Sequence, residues 1–113
     1  MRWHEERMVR GEDSIYLLTY DLELNRGSYG YQEEEYYGIR VDQYQLENED
    51  KAGREDRESC LIDQSRIRGL TEDRSEAESF LSMAVEGRVM PVTLYDVYDD
   101  WMSAFHPRWY FGG

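Results

Sequence analysis

The apolar residues of this chain change their spacing part-way along it. From residue 14, Tyr16, Leu18, Tyr20, Leu22 and Leu24 recur at every second position, with Thr19, Asp21 and Glu23 between them. Successive side chains of an extended chain point to opposite faces, so this alternation predicts a half-buried β-strand. Beyond Gly69 the spacing lengthens. Ala77, Phe80, Leu81, Ala84 and Val85 fall at i, i+3, i+4, i+7 and i+8, which puts them on one face of an α-helix. A chain that alternates in its first part and coils in its last has few ways to close a core. The natural one is a sheet covered on one face by helices.

The remaining punctuation fills in this plan. Residues 25–30 cluster turn formers, with Gly27 and Gly30 among them. A second alternating run over 31–45 carries Tyr37, Ile39 and Val41 in one phase and Glu34, Tyr36 and Arg40 in the other, predicting a hairpin with a loop of intermediate length. Gly38 inside that run marks a bulge or a close backbone approach, such as one by a covering helix. Residues 59–64 form a short apolar run, read as a third strand. Thr71, Asp73 and Ser75 are candidate N-caps of the first helix, and Asp73 with Glu76 has capping-box spacing. Gly87 suits its C-cap and Pro91 lies just past the stop. A second helix over 93–105 would start at Thr93, with Leu94, Val97, Tyr98, Trp101 and Phe105 as its apolar stripe.

The expected architecture is therefore α+β: a three-stranded antiparallel meander followed by two antiparallel helices packed on one face. Tyr16, Leu18, Tyr20, Leu22, Tyr37, Ile39, Val41, Ile62, Phe80, Leu81, Ala84, Leu94, Val97 and Trp101 would make its core. At 113 residues the chain reads as a single domain, 1–113. A charged loop is expected at 46–58, where six acids and three bases accompany one Leu and one Ala. Loose ends are expected at 1–13 and 106–113.

Charge narrows the function classes. With 25 acidic against 13 basic residues the formal charge is −12, the wrong sign for direct binding to nucleic-acid phosphates. No apolar run approaches the ~20 residues of a membrane-spanning helix. The first residues carry no apolar secretory core, and Cys60 is the only cysteine, so a cytoplasmic location is expected. A single thiol also excludes an intrachain disulfide or a cysteine zinc site. Mean hydropathy is low at −0.87, yet ten tyrosines and three tryptophans supply apolar area for a modest core.

Candidate sites are few. Asp96, Asp99 and Asp100 share one helix face at i, i+3 and i+4, where three carboxylates can approach one divalent cation; the same pattern also describes an ordinary solvated helix face. Glu33, Glu34 and Glu35 alternate across a strand and read as edge protection. His4 and His106 lie near opposite termini, and Cys60 sits among apolar neighbours, so no nucleophile–base pair is apparent. No phosphate-cradling glycine loop, Gly-x-Ser-x-Gly or His-Glu-x-x-His occurs. No catalytic residue is singled out and no cofactor is expected. Tyr36 on a polar strand phase, Tyr95 at the rim of a helix stripe and Trp109, Tyr110 and Phe111 beyond Pro107 are the candidate partner-binding residues, since Tyr and Trp are enriched at protein interfaces.

Three segments carry a resemblance. Tyr36-Tyr37-Gly38-Ile39-Arg40-Val41, the helix opened by Thr71-Glu72-Asp73, and Pro91-Val92-Thr93-Leu94-Tyr95-Asp96-Val97-Tyr98-Asp99-Asp100-Trp101-Met102 resemble a family of small uncharacterised proteins from clostridia and related Firmicutes. The resemblance spans roughly residues 14–103 and implies a strand pair followed by two helices, with no activity or site attached. This chain departs from the family's pattern at Thr93, where members often carry a histidine, and in a longer excursion at 46–58. The function expected is a small cytoplasmic protein-binding or regulatory module without catalysis, with a protein partner or self-association through a sheet edge. The alternatives are a metal-assisted enzyme using the acidic helix face and an acidic mimic of nucleic acid.

Overall fold

A computed structural model describes residues 3–29, 32–47 and 57–105. Within them lie β1 (His4–Arg10), β2 (Ile15–Tyr29), β3 (Gln32–Leu46), β4 (Leu61–Thr71), α1 (Arg74–Glu86) and α2 (Leu94–Phe105), with 3₁₀ turns at Glu58–Cys60 and Pro91–Thr93. The strands form one antiparallel sheet in the order β1-β2-β3-β4. The α+β class stands, but the meander has four strands where the sequence predicts three.

The extra strand is β1, which falls in the expected loose end at 1–13. Its alternation is hidden by charge on both faces. Glu5, Arg7 and Val9 stand opposite Tyr20, Leu18 and Tyr16 of β2, and Glu5 and Arg7 neutralise each other at 3.4 Å. Trp3, just before β1, accepts a hydrogen bond on its carbonyl from Leu22 N–H at 2.8 Å and sets its ring 5.7 Å from that of Tyr37. Pairing, not local pattern, makes this segment extended.

The central hairpin is longer than its turn residues imply. β2 and β3 pair without interruption from Ile15↔Leu46 to Tyr29↔Gln32, so most of the glycine-containing stretch 25–30 is strand. Arg26 and Glu35, opposite one another, form an ion pair at 3.2 Å. Residues 30 and 31, between the two strands, lie outside the described residues.

Two irregularities in the β3–β4 ladder rearrange what the third predicted strand presents. Between Gln43↔Asp63 and Tyr44↔Leu61 the register slips, leaving Ile62 unpaired. Ile62 is 52% exposed and does not join the core expected of it. Ser59 and Cys60 lie in the 3₁₀ turn, not in the strand. The second slip lies between Tyr37 and Ile39 and explains Gly38. A Cβ there would stand 2.5 Å from the Ile67 carbonyl oxygen and 2.8 Å from that of Arg68. The close approach is made by β4, not by a helix, and Asn25 Nδ2 bridges the same spot by donating to the Arg68 carbonyl at 2.9 Å.

The helices follow their caps. Asp73 accepts from the Ser75 and Glu76 N–H groups, and the Thr71 hydroxyl donates to Glu76 Oε2 at 2.7 Å. Past Gly87, the Val89 N–H returns to the Ala84 carbonyl and the Arg88 N–H to that of Val85, the bond pattern of a Schellman motif. The left-handed position of this motif is Arg88, with φ 49°, while Gly87 keeps φ −80°. In the 3₁₀ turn that leads into α2, the Thr93 hydroxyl donates back to the Met90 carbonyl at 3.2 Å.

One sheet face meets the helices. Leu18, Tyr20 and Leu22 of β2, Ile39 and Val41 of β3 and Ile67 of β4 stand in register on it. They pack with Ala77, Phe80, Leu81, Ala84, Val85, Leu94 and Trp101. Phe80 joins α1 to α2 by edge-on contact with Trp101 at 5.2 Å and Tyr98 at 6.3 Å. The Tyr20 hydroxyl donates to the Val89 carbonyl at 2.9 Å. Tyr37 and Val97, expected within this core, pack half-buried at its rim. Among the described residues, neither α1 nor α2 covers the opposite sheet face; Arg57 and the 3₁₀ turn at Glu58–Cys60 lie against it.

Candidate functional site

The sheet face away from α1 and α2 is where charge collects. The residues that alternate with the core positions of β1, β2 and β3 include His4, Glu6, Thr19, Asp21, Arg40, Asp42 and Tyr44. The β3–β4 connection contributes Arg57 and Glu58. Together His4, Thr19, Asp21, Arg40, Asp42, Tyr44, Arg57 and Glu58 line an open cleft of about 310 Å³. Its floor is buried and polar: Thr19, Asp42 and Arg57 are 2%, 4% and 8% exposed.

The charges are linked across three strands. Asp42 lies 3.3 Å from Arg40 Nε and accepts from Gln64 Nε2 at 2.6 Å and from the Thr19 hydroxyl at 3.4 Å. Arg40 also reaches Asp21 at 3.4 Å. His4 stands between two carboxylates, with Asp21 Oδ1 2.5 Å from Nδ1 and Glu6 Oε2 2.7 Å from Nε2. Glu6 Oε2 in turn accepts from Arg57 Nη1 at 2.8 Å, and the Arg57 guanidinium stands 5.6 Å from the centre of the Tyr44 ring. Arg66 pairs with Glu23 at 2.9 Å on the same face.

Burial works against a charge on His4, but its bonds to Asp21 and Glu6 and their negative charges prevail, and its pKa rises above 6.5. Burial also works against ionised Glu6. The bonds from His4 and Arg57 outweigh it, and the Glu6 pKa falls below 4.5. Burial, aided by the charge of Asp42, pushes the Tyr44 phenol above 10. Both ring nitrogens of His4 face carboxylates, which favours the imidazolium and leaves no lone pair free for base catalysis. The arrangement holds these charges in fixed positions.

The family comparison matches residues 2–104 to DUF6514, a family of unknown function. The chain belongs to that family. The match takes in the whole sheet, α1 and all the residues lining the cleft, and ends one residue before the last of α2. No curated protein and no solved structure matches the chain significantly.

The residues singled out from sequence are dispersed in this family member. Tyr36 is half-buried on the sheet face away from α1 and α2, in phase with Arg40 and Asp42. Tyr95 lies elsewhere, exposed on α2, where its hydroxyl donates to the Arg66 carbonyl of β4 at 2.6 Å. Trp109, Tyr110, Phe111 and His106 lie outside the described residues. Asp96, Asp99 and Asp100 are all exposed on α2, and among the described residues no group of three or more His, Cys, Asp or Glu side chains is placed to hold a metal. At the sheet edges, the Gln64 N–H of β4 donates to the Asp63 carboxylate at 2.9 Å and the Glu6 carbonyl of β1 accepts from Arg7 at 2.7 Å. With the Tyr95 bond, these contacts occupy part of what an added strand would need.

Arg57 is the residue the sequence conceals. It lies in a stretch whose composition reads as entirely solvated, and no periodicity marks it. Thr19 and Asp42 are hidden differently: alternation assigns them to the polar face but does not say that this face is partly covered.

Proposed function

We propose that the protein is a small binding module of regulatory, non-catalytic kind, working in a bacterial cytoplasm, and that it takes a basic segment of a protein partner on the sheet face away from α1 and α2. The observation that carries this reading is the open cleft. Carboxylates from β2 and β3 and the Tyr44 ring are held there in fixed positions by their neighbours, on the sheet face away from α1 and α2. A pre-arranged charged site loses little freedom on binding. The overall charge of −12 adds long-range attraction for a basic partner.

Glu58 is exposed at the mouth of the cleft, so its charge can be reversed without opening the core. Partner capture from native extract by wild-type protein and by Glu58→Lys tests the reading. The same protein should be retained by the wild type, weakened by added salt and lost by the variant. Equal retention by both proteins at all salt concentrations overturns it.

A further inference from the structure

Arg57 is the one buried arginine among the described residues. It does not belong to a strand: it immediately precedes the 3₁₀ turn leading into β4. Its side chain nevertheless reaches Glu6 on the outermost strand, β1, and lies over the ring of Tyr44. Burying a guanidinium is unfavourable unless its charge and donors are met. Here the Glu6 carboxylate meets one donor at 2.8 Å and the Tyr44 ring lies within cation–π range, a contact made more often by a guanidinium than by an ammonium. Glu6 is itself fixed by His4 at 2.7 Å. Asp21 and Asp42 line the space beside the guanidinium.

From this we infer that Tyr44 and Glu6 form a guanidinium receptor, that Arg57 is the chain's own occupant of it, and that an arginine of a protein partner binds by displacing Arg57. The inference deepens the binding-module reading and rests on it for the identity of the partner. The receptor itself can be tested without one. Charge complementarity supports an arginine-bearing occupant, because the described carboxylates around the site continue beyond Glu6 to Asp21, Asp42 and Glu58. A tethered occupant competes at an effective concentration in the millimolar range. It therefore reduces apparent affinity by the fraction of molecules in which the receptor is closed.

The probe is N-acetyl-arginine amide, with N-acetyl-lysine amide as the control, titrated into the full chain and followed by the backbone amide resonances of the protein. Arg57→Ala should bind the arginine probe at least about tenfold more tightly than the wild type and should gain nothing for the lysine probe. Adding Tyr44→Leu should abolish the gain. Arg57→Gln, which keeps a polar side chain beside Glu6, should show the same gain and serves if Arg57→Ala does not fold. Equal binding by wild type and both Arg57 variants overturns the inference, as does equal binding of the two probes. If the receptor behaves as stated while Glu58→Lys still captures the wild-type partner, the module reading fails and the receptor stands. If capture depends on Glu58 but neither Arg57 variant gains affinity, the receptor fails and the module reading stands.

Discussion

Tyr20 has no exposed surface, and its hydroxyl meets the Val89 carbonyl just beyond α1. Burial raises its pKa to about 12, so the phenol stays a donor throughout the physiological range. Tyr20→Phe would leave the Val89 carbonyl without that donor inside a packed layer. The expected loss is about 1–3 kcal/mol, read as a lower urea midpoint with an unchanged slope. Arg88 presents the opposite case. Its φ of 49° is a conformation that a side chain with a Cβ adopts at a cost of roughly 1–2 kcal/mol. Arg88→Gly should therefore stabilise the protein by about 0.5–1 kcal/mol, the lost charge at the helix C-terminus offsetting part of the gain. A fall in melting temperature would show that the arginine has a role its backbone angle does not reveal. The sequence places Tyr20 correctly in the core because alternation reports burial. It also names Gly87 as the C-cap of α1, as observed, but nothing in it marks Arg88 as the left-handed residue.

Among the elements, both helices are legible from the sequence because capping is local: Asp73 and Glu76 lie within one turn of the start they define. The β2–β3 hairpin is legible from alternation, though not the length of its ladder. β1 is illegible because Glu5 and Arg7 occupy core-side positions and neutralise each other there. Ile62 misleads because a register slip, which depends on the partner strand, decides where it points. The cleft is only half legible, since pairing across strands places His4 beside Asp21 at a separation of 17 residues. That contact gives β1 a pH dependence. The folded-state pKa of His4 lies above 6.5, so its stabilising contribution is complete below 6.5 and is lost as pH rises through the folded value. Glu6, with a lowered pKa, contributes above 4.5 and loses its effect as pH falls through its folded value. Melting temperature should decline gently as pH is raised above about 6.5, by the 0.2–1 kcal/mol typical of exposed pairs. His4→Gln should flatten that decline. An unchanged profile in the variant would show that another group titrates.

At the level of the whole molecule, the sheet and the helices meet through few large side chains. Trp101 is 5% exposed and stands edge-on to Phe80, so it couples α2 both to α1 and to the sheet. Trp101→Ala should cost on the order of 3–5 kcal/mol, and thermal melting of the variant measures it. Unchanged melting would remove α2 from the core. The charge of −12 also acquires a geography at this scale. Part of it caps α1, part lies exposed along α2 at Asp96, Asp99 and Asp100, and part converges with arginines on the sheet face away from α1 and α2.

The order of elements along the chain has a consequence for biosynthesis. Among the described elements, the four strands precede α1 and α2, and each strand pairs with its neighbour in sequence. Hairpins close within microseconds, whereas a ribosome adds about 5–20 residues per second. The sheet is complete at Thr71 and α2 ends at Phe105, a delay of roughly 2–7 s at that rate. Over that interval Leu18, Tyr20, Leu22, Ile39 and Val41 form an apolar surface on the nascent chain that is first bare and then covered by α1 alone, the state in which this protein is most exposed to aggregation and to chaperones.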